Sequence, residues 1–158
     1  MHMEIQQRNF LEKSKSGSAS VRKKLFYASD CRKRYESEGF DRGSLKLPEG
    51  HLRLINAVTE ENANTIVILM SGGVVECPWA GKVKGILYAG LSGQAGAQAI
   101  ANILYGKVNP SGKLAESWPI NYEDCATAAF YGKEKDAIYR EGIYVGYRYY
   151  DKIQLPVR

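Results

Sequence analysis

Four charged residues within one short stretch carry side chains that could do acid–base chemistry. Glu36, Glu38 and Asp41 place three carboxylates directly before Arg42. Crowded carboxylates raise one another's pKa, which keeps one of them protonated near neutral pH as a general acid. An arginine can pair with a carboxylate and orient it. Composition alone favours a plainer interpretation, a solvated charged loop, and Gly39 within a stretch that lacks periodicity indicates a loop in either case.

A second candidate is a set of three glycines between an apolar run and a helical pattern. Gly90, Gly93 and Gly96 are spaced G-x-x-G-x-x-G. A helix N-terminus suits a phosphate, but the dinucleotide fingerprint requires G-x-G-x-x-G and an acidic residue about 20 positions later. Here that later region is a predicted turn at 109–113. We therefore favour close packing of the helix on the sheet, and a nucleotide-binding α/β domain, stabilised by NAD or ATP, is the less favoured alternative.

The third candidate is a tyrosine-rich stretch at 138–151, which also contains Arg140, Glu141 and Arg148. Aromatic rings can stack on a sugar or a base, but they more often pack at a domain face or an interface. Packing is the favoured interpretation on this evidence. Alternation over residues 143–147 predicts extended structure there.

Length and composition suit one globular domain, since the chain has 158 residues of which 44% are hydrophobic. No apolar run approaches the roughly 20 residues of a membrane span. The N-terminal segment lacks the apolar region of a secretory signal. Three cysteines without C-x-x-C spacing predict reduced thiols in a cytoplasmic protein, with no zinc site. We expect no metal, no cofactor and no membrane contact.

The net charge of +5 is unevenly distributed along the chain. Residues 1–34 carry nine Lys or Arg and three Asp or Glu, whereas residues 35–158 carry thirteen and fourteen. No aromatics are interleaved with the basic residues, as stacking on a nucleic acid would need. We therefore predict a basic, poorly ordered segment at 1–34, no nucleic-acid partner, and a folded domain at 35–158.

Strand and helix patterns alternate along the chain. Strands are predicted at 25–28, 65–70, 74–77 and 86–89, and helices from Pro48 and over Ala95–Tyr105. Thr65–Met70 is apolar on both faces, which is typical of a central parallel strand. Strands joined by helices predict an α/β fold, with a mostly parallel sheet flanked by helices.

Several motifs, in order, resemble those of one known family. ESEGFDRGSLKLP at 36–48, then a helix and TIVILMSGGVVECPW at 65–79, resemble the α/β sandwich domain of glycoside hydrolase family 3, the β-glucosidase-like enzymes. NPSGKL at 109–114, WP at 118–119 and YREGIYVGYRYYD at 139–151 resemble later motifs of that family. The resemblance covers roughly residues 35–155 and implies a three-layer α/β sandwich, here incomplete at both ends.

The resemblance also implies a retaining mechanism with two carboxyl groups. In the family, a nucleophilic carboxylate lies on a separate (β/α)₈ barrel domain, and an acid/base carboxyl lies on a loop of the sandwich domain. The motif places the acid/base at Glu38, with Glu36 as the alternative. Asp41 and Arg42 would support the loop.

This sequence departs from the family pattern because it has no room for a barrel, which needs about 250 residues. The motif of the nucleophile is also absent. We therefore expect a fragment, a split gene product or a truncated form of an enzyme, inactive alone. Its expected partners are the missing barrel domain and a β-glucoside or oligosaccharide substrate. The alternative is a non-catalytic carbohydrate-binding or assembly module that uses the tyrosine-rich stretch.

Overall fold

The computed structural model describes residues 24–29, 39, 42–136 and 138–158. The strands in this part of the chain are β1 (Lys24–Ser29), β2 (Thr65–Met70) and β3 (Gly85–Tyr88). The α-helices are α1 (Glu49–Glu61), α2 (Gly96–Leu104) and α3 (Tyr147–Ile153). Short 3₁₀ turns lie at Ala80–Lys82 and Tyr122–Asp124. The chain divides into two compact units, Met1–Ser111 with the sheet and Gly112–Arg158 with α3.

The three strands form one parallel sheet in the order β1-β2-β3. Lys24 pairs with Thr65 at the start of β1, and Ile66 pairs with Gly85 at the start of β3. Residues 65–69 of the middle strand are all buried. The structure thus confirms Thr65–Met70 as a central parallel strand and confirms the α/β fold class.

Helix α1 begins directly after Pro48, as predicted. Proline suits this position because its fixed φ fits the helix start and the first N–H groups have no intrahelical partner. Ile55 is completely buried, whereas Leu54 beside it is 47% exposed, so one side of the helix packs. Thr59 is also buried, and its hydroxyl donates to the Ile55 carbonyl at 2.9 Å.

Helix α2 covers the predicted range, with Ala95 and Tyr105 as its caps. The chain leaves the helix at Gly106, whose φ of +70° is left-handed. The N–H of Gly106 donates to the Ile103 carbonyl at 3.0 Å, which satisfies an acceptor in the last turn. The sequence therefore predicted both the helix and its end correctly.

The prediction of a short return strand at 74–77 is wrong. These residues are buried, but the structure forms no strand there. The backbone N–H of Glu76 donates to the Leu45 carbonyl at 2.8 Å, in the loop before α1 and not in a strand. Pro78 follows and has no N–H to continue a ladder. Apolar, β-branched composition at this place reflects burial and not strand pairing.

The prediction of extended structure across 143–147 is also wrong at its last residue, because helix α3 begins at Tyr147. Gly146 precedes it with φ +61°, a conformation that favours glycine and turns the chain. Ile143 and Val145 are 72% and 53% exposed. The alternation in this stretch therefore did not mark a strand with one buried face.

The predicted boundary between residues 34 and 35 stays a prediction, and β1 lies within the basic segment, where a strand was predicted at 25–28. Cys77 and Cys125 are not joined in a disulfide, whereas Cys31 lies outside the described residues. Across the described ranges, no helix combines the length and the apolar character needed to cross a membrane.

Candidate functional site

The carboxyl ends of all three strands lie at one edge of the sheet, because the strands are parallel. Ligands of α/β sheets bind outside this edge. In the chain, residues 30–42 follow β1, residues 71–76 follow β2, and residues 89–95 follow β3. We call residues 71–76 the β2 turn. The stretch with the predicted acid/base therefore follows, in the chain, a strand that ends at the edge where α/β sheets usually bind ligands.

Arg42 is the one predicted site residue that the structure describes. Its guanidinium Nη2 donates to the carbonyl oxygen of Val74 in the β2 turn at 2.8 Å. Arg42 thus contacts the connection that follows the neighbouring strand, and its supporting role stays a prediction. Glu36, Glu38 and Asp41 lie outside the described residues, so their roles stay predictions.

The β2 turn is held by hydroxyl groups that no sequence motif indicated. Ser71 is 1% exposed, and its Oγ donates to the Gly73 carbonyl at 2.8 Å. The hydroxyl of Tyr88, at the end of β3, donates to the Ser71 carbonyl at 3.0 Å. In the sequence, a serine and two glycines directly after a buried strand indicate a turn at this edge.

The glycine set before α2 has a packing role at one of its positions. A Cβ atom at Gly96 would lie 2.5 Å from both Cβ and Oγ of Ser92, whereas nothing lies within 4 Å of that position at Gly93. The close neighbour of Gly96 is thus the preceding turn and not the sheet.

In residues 42–136 and 138–158, no three His, Cys, Asp or Glu side chains are grouped to hold a metal ion.

The cations of the tyrosine-rich stretch contact aromatic rings and carboxylates of their own unit. Lys152, one residue beyond the stretch, places its Nζ 3.6 Å from the ring centre of Tyr144. Arg140 bonds both carboxylate oxygens of Glu134, at 2.6 and 2.8 Å, and its Cζ lies 5.0 Å from the ring centre of Phe130. These contacts are typical of a surface stabilised locally.

Cys125 and Tyr150 are linked through their side chains. Burial raises the pKa of the Cys125 thiol, although the hydrogen bond with Tyr150 lowers it in part. Burial, and then the charge of Cys125, raise the pKa of Tyr150 to about 12. Both groups are neutral near pH 7, so the Cys125 thiol is a poor nucleophile.

The chain is similar to much longer glycosidases. It is 50% identical over 118 residues to thermostable beta-glucosidase B of Acetivibrio thermocellus, covering 74% of this chain and 16% of that protein. It is 45% identical over 118 residues to the exo-alpha-(1->6)-L-arabinopyranosidase of Bifidobacterium breve, covering 73% and 16%. This chain therefore spans only a small part of the length of these relatives.

The fold is also similar to part of a solved enzyme. The crystal structure of beta-glucosidase from Kluyveromyces marxianus, in complex with glucose, matches with a TM-score of 0.81 and 35% identity. The match covers 98% of this chain and 18% of that one. The sequence profile of the glycosyl hydrolase family 3 C-terminal domain matches residues 15–147, which include the 36–42 stretch. The chain therefore belongs to glycoside hydrolase family 3, and it corresponds to the C-terminal domain of that family.

Proposed function

We propose that this chain supplies the acid/base of a retaining glycoside hydrolase of the β-glucosidase type. Two observations carry the proposal: the family match includes the carboxylate stretch, and Arg42 at the end of that stretch is bound to the β2 turn. The turn follows a parallel strand at the sheet edge where ligands bind. Relatives named beta-glucosidase support the choice of substrate class.

The proposed reaction needs a second carboxylate on a barrel domain outside this chain. That carboxylate attacks the anomeric carbon while Glu38 donates its proton to the glycosidic oxygen, which leaves as an alcohol. The ionised Glu38 then takes a proton from water, and the water oxygen displaces the barrel carboxylate from the sugar. Glu36 is the alternative for the same role.

Arg42 would support this group electrostatically as well as structurally. A guanidinium presents five N–H donors, and its Nη2 in Arg42 donates to the Val74 carbonyl. A bond from Arg42 to Asp41 would keep that carboxylate ionised. An ionised Asp41 would then leave Glu38 and Glu36 as the carboxyl groups that could hold the proton of the general acid.

The test places this chain in a working enzyme. The chain replaces the matching segment of the Acetivibrio thermocellus relative, and turnover of an aryl β-glucoside with a poor leaving group is measured. Glu38→Gln should lower kcat/KM by about 10² to 10⁴, the usual contribution of general acid–base catalysis. Glu36→Gln is the matched control and should retain most activity; the reverse result would assign the role to Glu36.

Azide provides a second readout, since it attacks the glycosyl–enzyme without needing a base. It should restore turnover of an activated substrate by the Glu38→Ala variant and yield a β-glucosyl azide. The isolated chain should not turn over aryl β-glucosides. Robust turnover by the isolated chain, abolished by Glu38→Gln, would contradict the assignment of the nucleophile to another domain.

A non-catalytic carbohydrate-binding role is the second candidate, favoured by exposed rings in the tyrosine-rich stretch. Tyr139 and Tyr147 are 96% and 61% exposed, and exposed rings can stack on a sugar. Saturable quenching of tyrosine fluorescence by glucose or cellobiose, lost in Tyr139→Ala or Tyr147→Ala, would support this role. Tyr105→Ala is the matched control, because Tyr105 is 82% exposed outside the stretch.

A further inference from the structure

The β2 turn owes its shape to a buried serine. Ser71 is 1% exposed, and its Oγ bonds the carbonyl of Gly73 two residues ahead, at 2.8 Å. A serine that bonds its own turn replaces a backbone partner and fixes the local dihedral angles. The hydroxyl therefore restrains the position of the carbonyl groups that follow, including that of Val74.

A second hydroxyl binds the same turn from the neighbouring strand. Tyr88 is the last residue of β3 and pairs in register with Leu69 of β2. Its hydroxyl donates to the carbonyl of Ser71 at 3.0 Å. The backbone ladder continues beside it, since Ala89 N donates to Leu69 O at 2.8 Å. The β2 turn is thus bound both by its own side chain and by β3.

The restrained turn presents an acceptor to a cation. The carbonyl of Val74 receives Arg42 Nη2 at 2.8 Å, within the range of a charge-assisted hydrogen bond. A Cβ atom at Gly73 would lie 3.5 Å from the same nitrogen, so the guanidinium packs closely on the turn. Arg42 follows Glu38 by four positions in the chain.

We infer that Ser71 and Tyr88 are positioning residues, whose hydroxyls hold the β2 turn in the shape that binds Arg42 at the end of the acid/base stretch. The inference rests on the proposed function for its catalytic meaning. The underlying contacts run from β3 through the turn to Arg42, over three hydrogen bonds of 2.8 to 3.0 Å. None of these residues needs to touch the substrate.

The test is nitrogen NMR of the Arg42 side chain in the full chain, with the resonance assigned through Arg42→Lys. A bound guanidinium rotates slowly and its Nη protons exchange slowly with water. Tyr88→Phe and Ser71→Ala each remove one hydroxyl. Each should accelerate the exchange of the Arg42 protons with water by about tenfold, the size of effect expected when one hydrogen bond is lost. Ser71→Thr keeps a hydroxyl and should restore slow exchange.

Two matched controls remove hydroxyls elsewhere. Tyr105→Phe and Ser111→Ala change exposed residues and should leave the Arg42 signals unchanged. Unchanged Arg42 exchange in folded Tyr88→Phe and Ser71→Ala would overturn the inference. Unfolding of both variants would also overturn it, in favour of a role in stability alone. Since the readout needs no turnover, an inactive chimaera would contradict the proposed function and leave this result intact.

Discussion

The two compact units bury their apolar side chains to very different extents. In Met1–Ser111, Val67 and Ile68 of the central strand are at most 1% exposed. In Gly112–Arg158, Ile143 is 72% exposed and Tyr139 is 96% exposed. The second unit instead contains local polar contacts, such as the capping box of Asn121 with Asp124.

This difference indicates where folding free energy is concentrated. Burial of apolar surface contributes about 25 cal/mol per Å², so a fully buried isoleucine contributes far more than an exposed one. Exposed ion pairs and local turns contribute little each. Large exposed apolar side chains are also typical of surfaces that contact other proteins or domains. The sheet unit should therefore resist unfolding through its core, and the second unit should depend on short-range contacts.

The largest expected effect comes from one substitution made in both units. Ile68→Ala leaves a cavity in the central strand and should lower the free energy of unfolding by about 2 to 5 kcal/mol. Ile143→Ala, at an exposed position, should change it by less than about 0.5 kcal/mol. Urea denaturation of both variants measures the contrast, and equal losses would show that the units do not differ as described.

The next effect tests how tightly the sheet unit packs at the start of α2. Gly96→Ala should cost about 1 to 3 kcal/mol, because the new Cβ would lie 2.5 Å from Ser92. Gly50→Ala, in α1 with nothing within 4 Å, should be neutral or gain up to about 1 kcal/mol. Thermal unfolding measures both. Ser92→Gly should suppress the loss in Gly96→Ala; a loss that persists would point to a cause other than this contact.

A pH-dependent effect is expected in the second unit. The pKa of Tyr150 is raised from 10.0 to about 12 by burial and by Cys125. Because the folded state holds this proton more tightly, its contribution to stability is complete below pH 10 and is lost as pH rises towards 12. Denaturation at several pH values should show this decline, and Tyr150→Phe should reduce it. A decline of the same size in Tyr150→Phe would assign it to other groups.

The smallest expected effect concerns the exposed pair of Arg140 and Glu134. The side chains are 41% and 40% exposed, although the contact is as short as 2.6 Å. Solvent and salt screen such pairs. Glu134→Gln should lower the melting temperature less than Ile68→Ala or Gly96→Ala, and the difference from the unaltered chain should vanish in 1 M salt, where the Debye length is about 3 Å. A large loss of melting temperature that does not change with salt would contradict the weak, exposed character of this ion pair.

Local sequence patterns predicted an element correctly where its apolar residues follow a single pattern along the whole element. Thr65–Met70 forms the predicted central strand because it is apolar on both faces. Helix α2 ends just before Gly106, because glycine adopts the φ of +70° that turns the chain away. The same reasoning failed at two places. Residues 74–77 are buried without pairing in a sheet, and Tyr147 is exposed at the start of a helix. Burial and pairing depend on neighbours distant in sequence, which a local pattern does not contain.

The sequence by itself determined the family and the parallel α/β fold, because these depend on motif order and periodicity. It also predicts the stretch in which we propose the acid/base. Only the tertiary structure decided that Arg42 binds the Val74 carbonyl and that Ser71 and Tyr88 hold the turn presenting it. Arg42 and Val74 are 32 positions apart in the chain. They meet because neighbouring parallel strands bring the segments after β1 and β2 to one edge of the sheet.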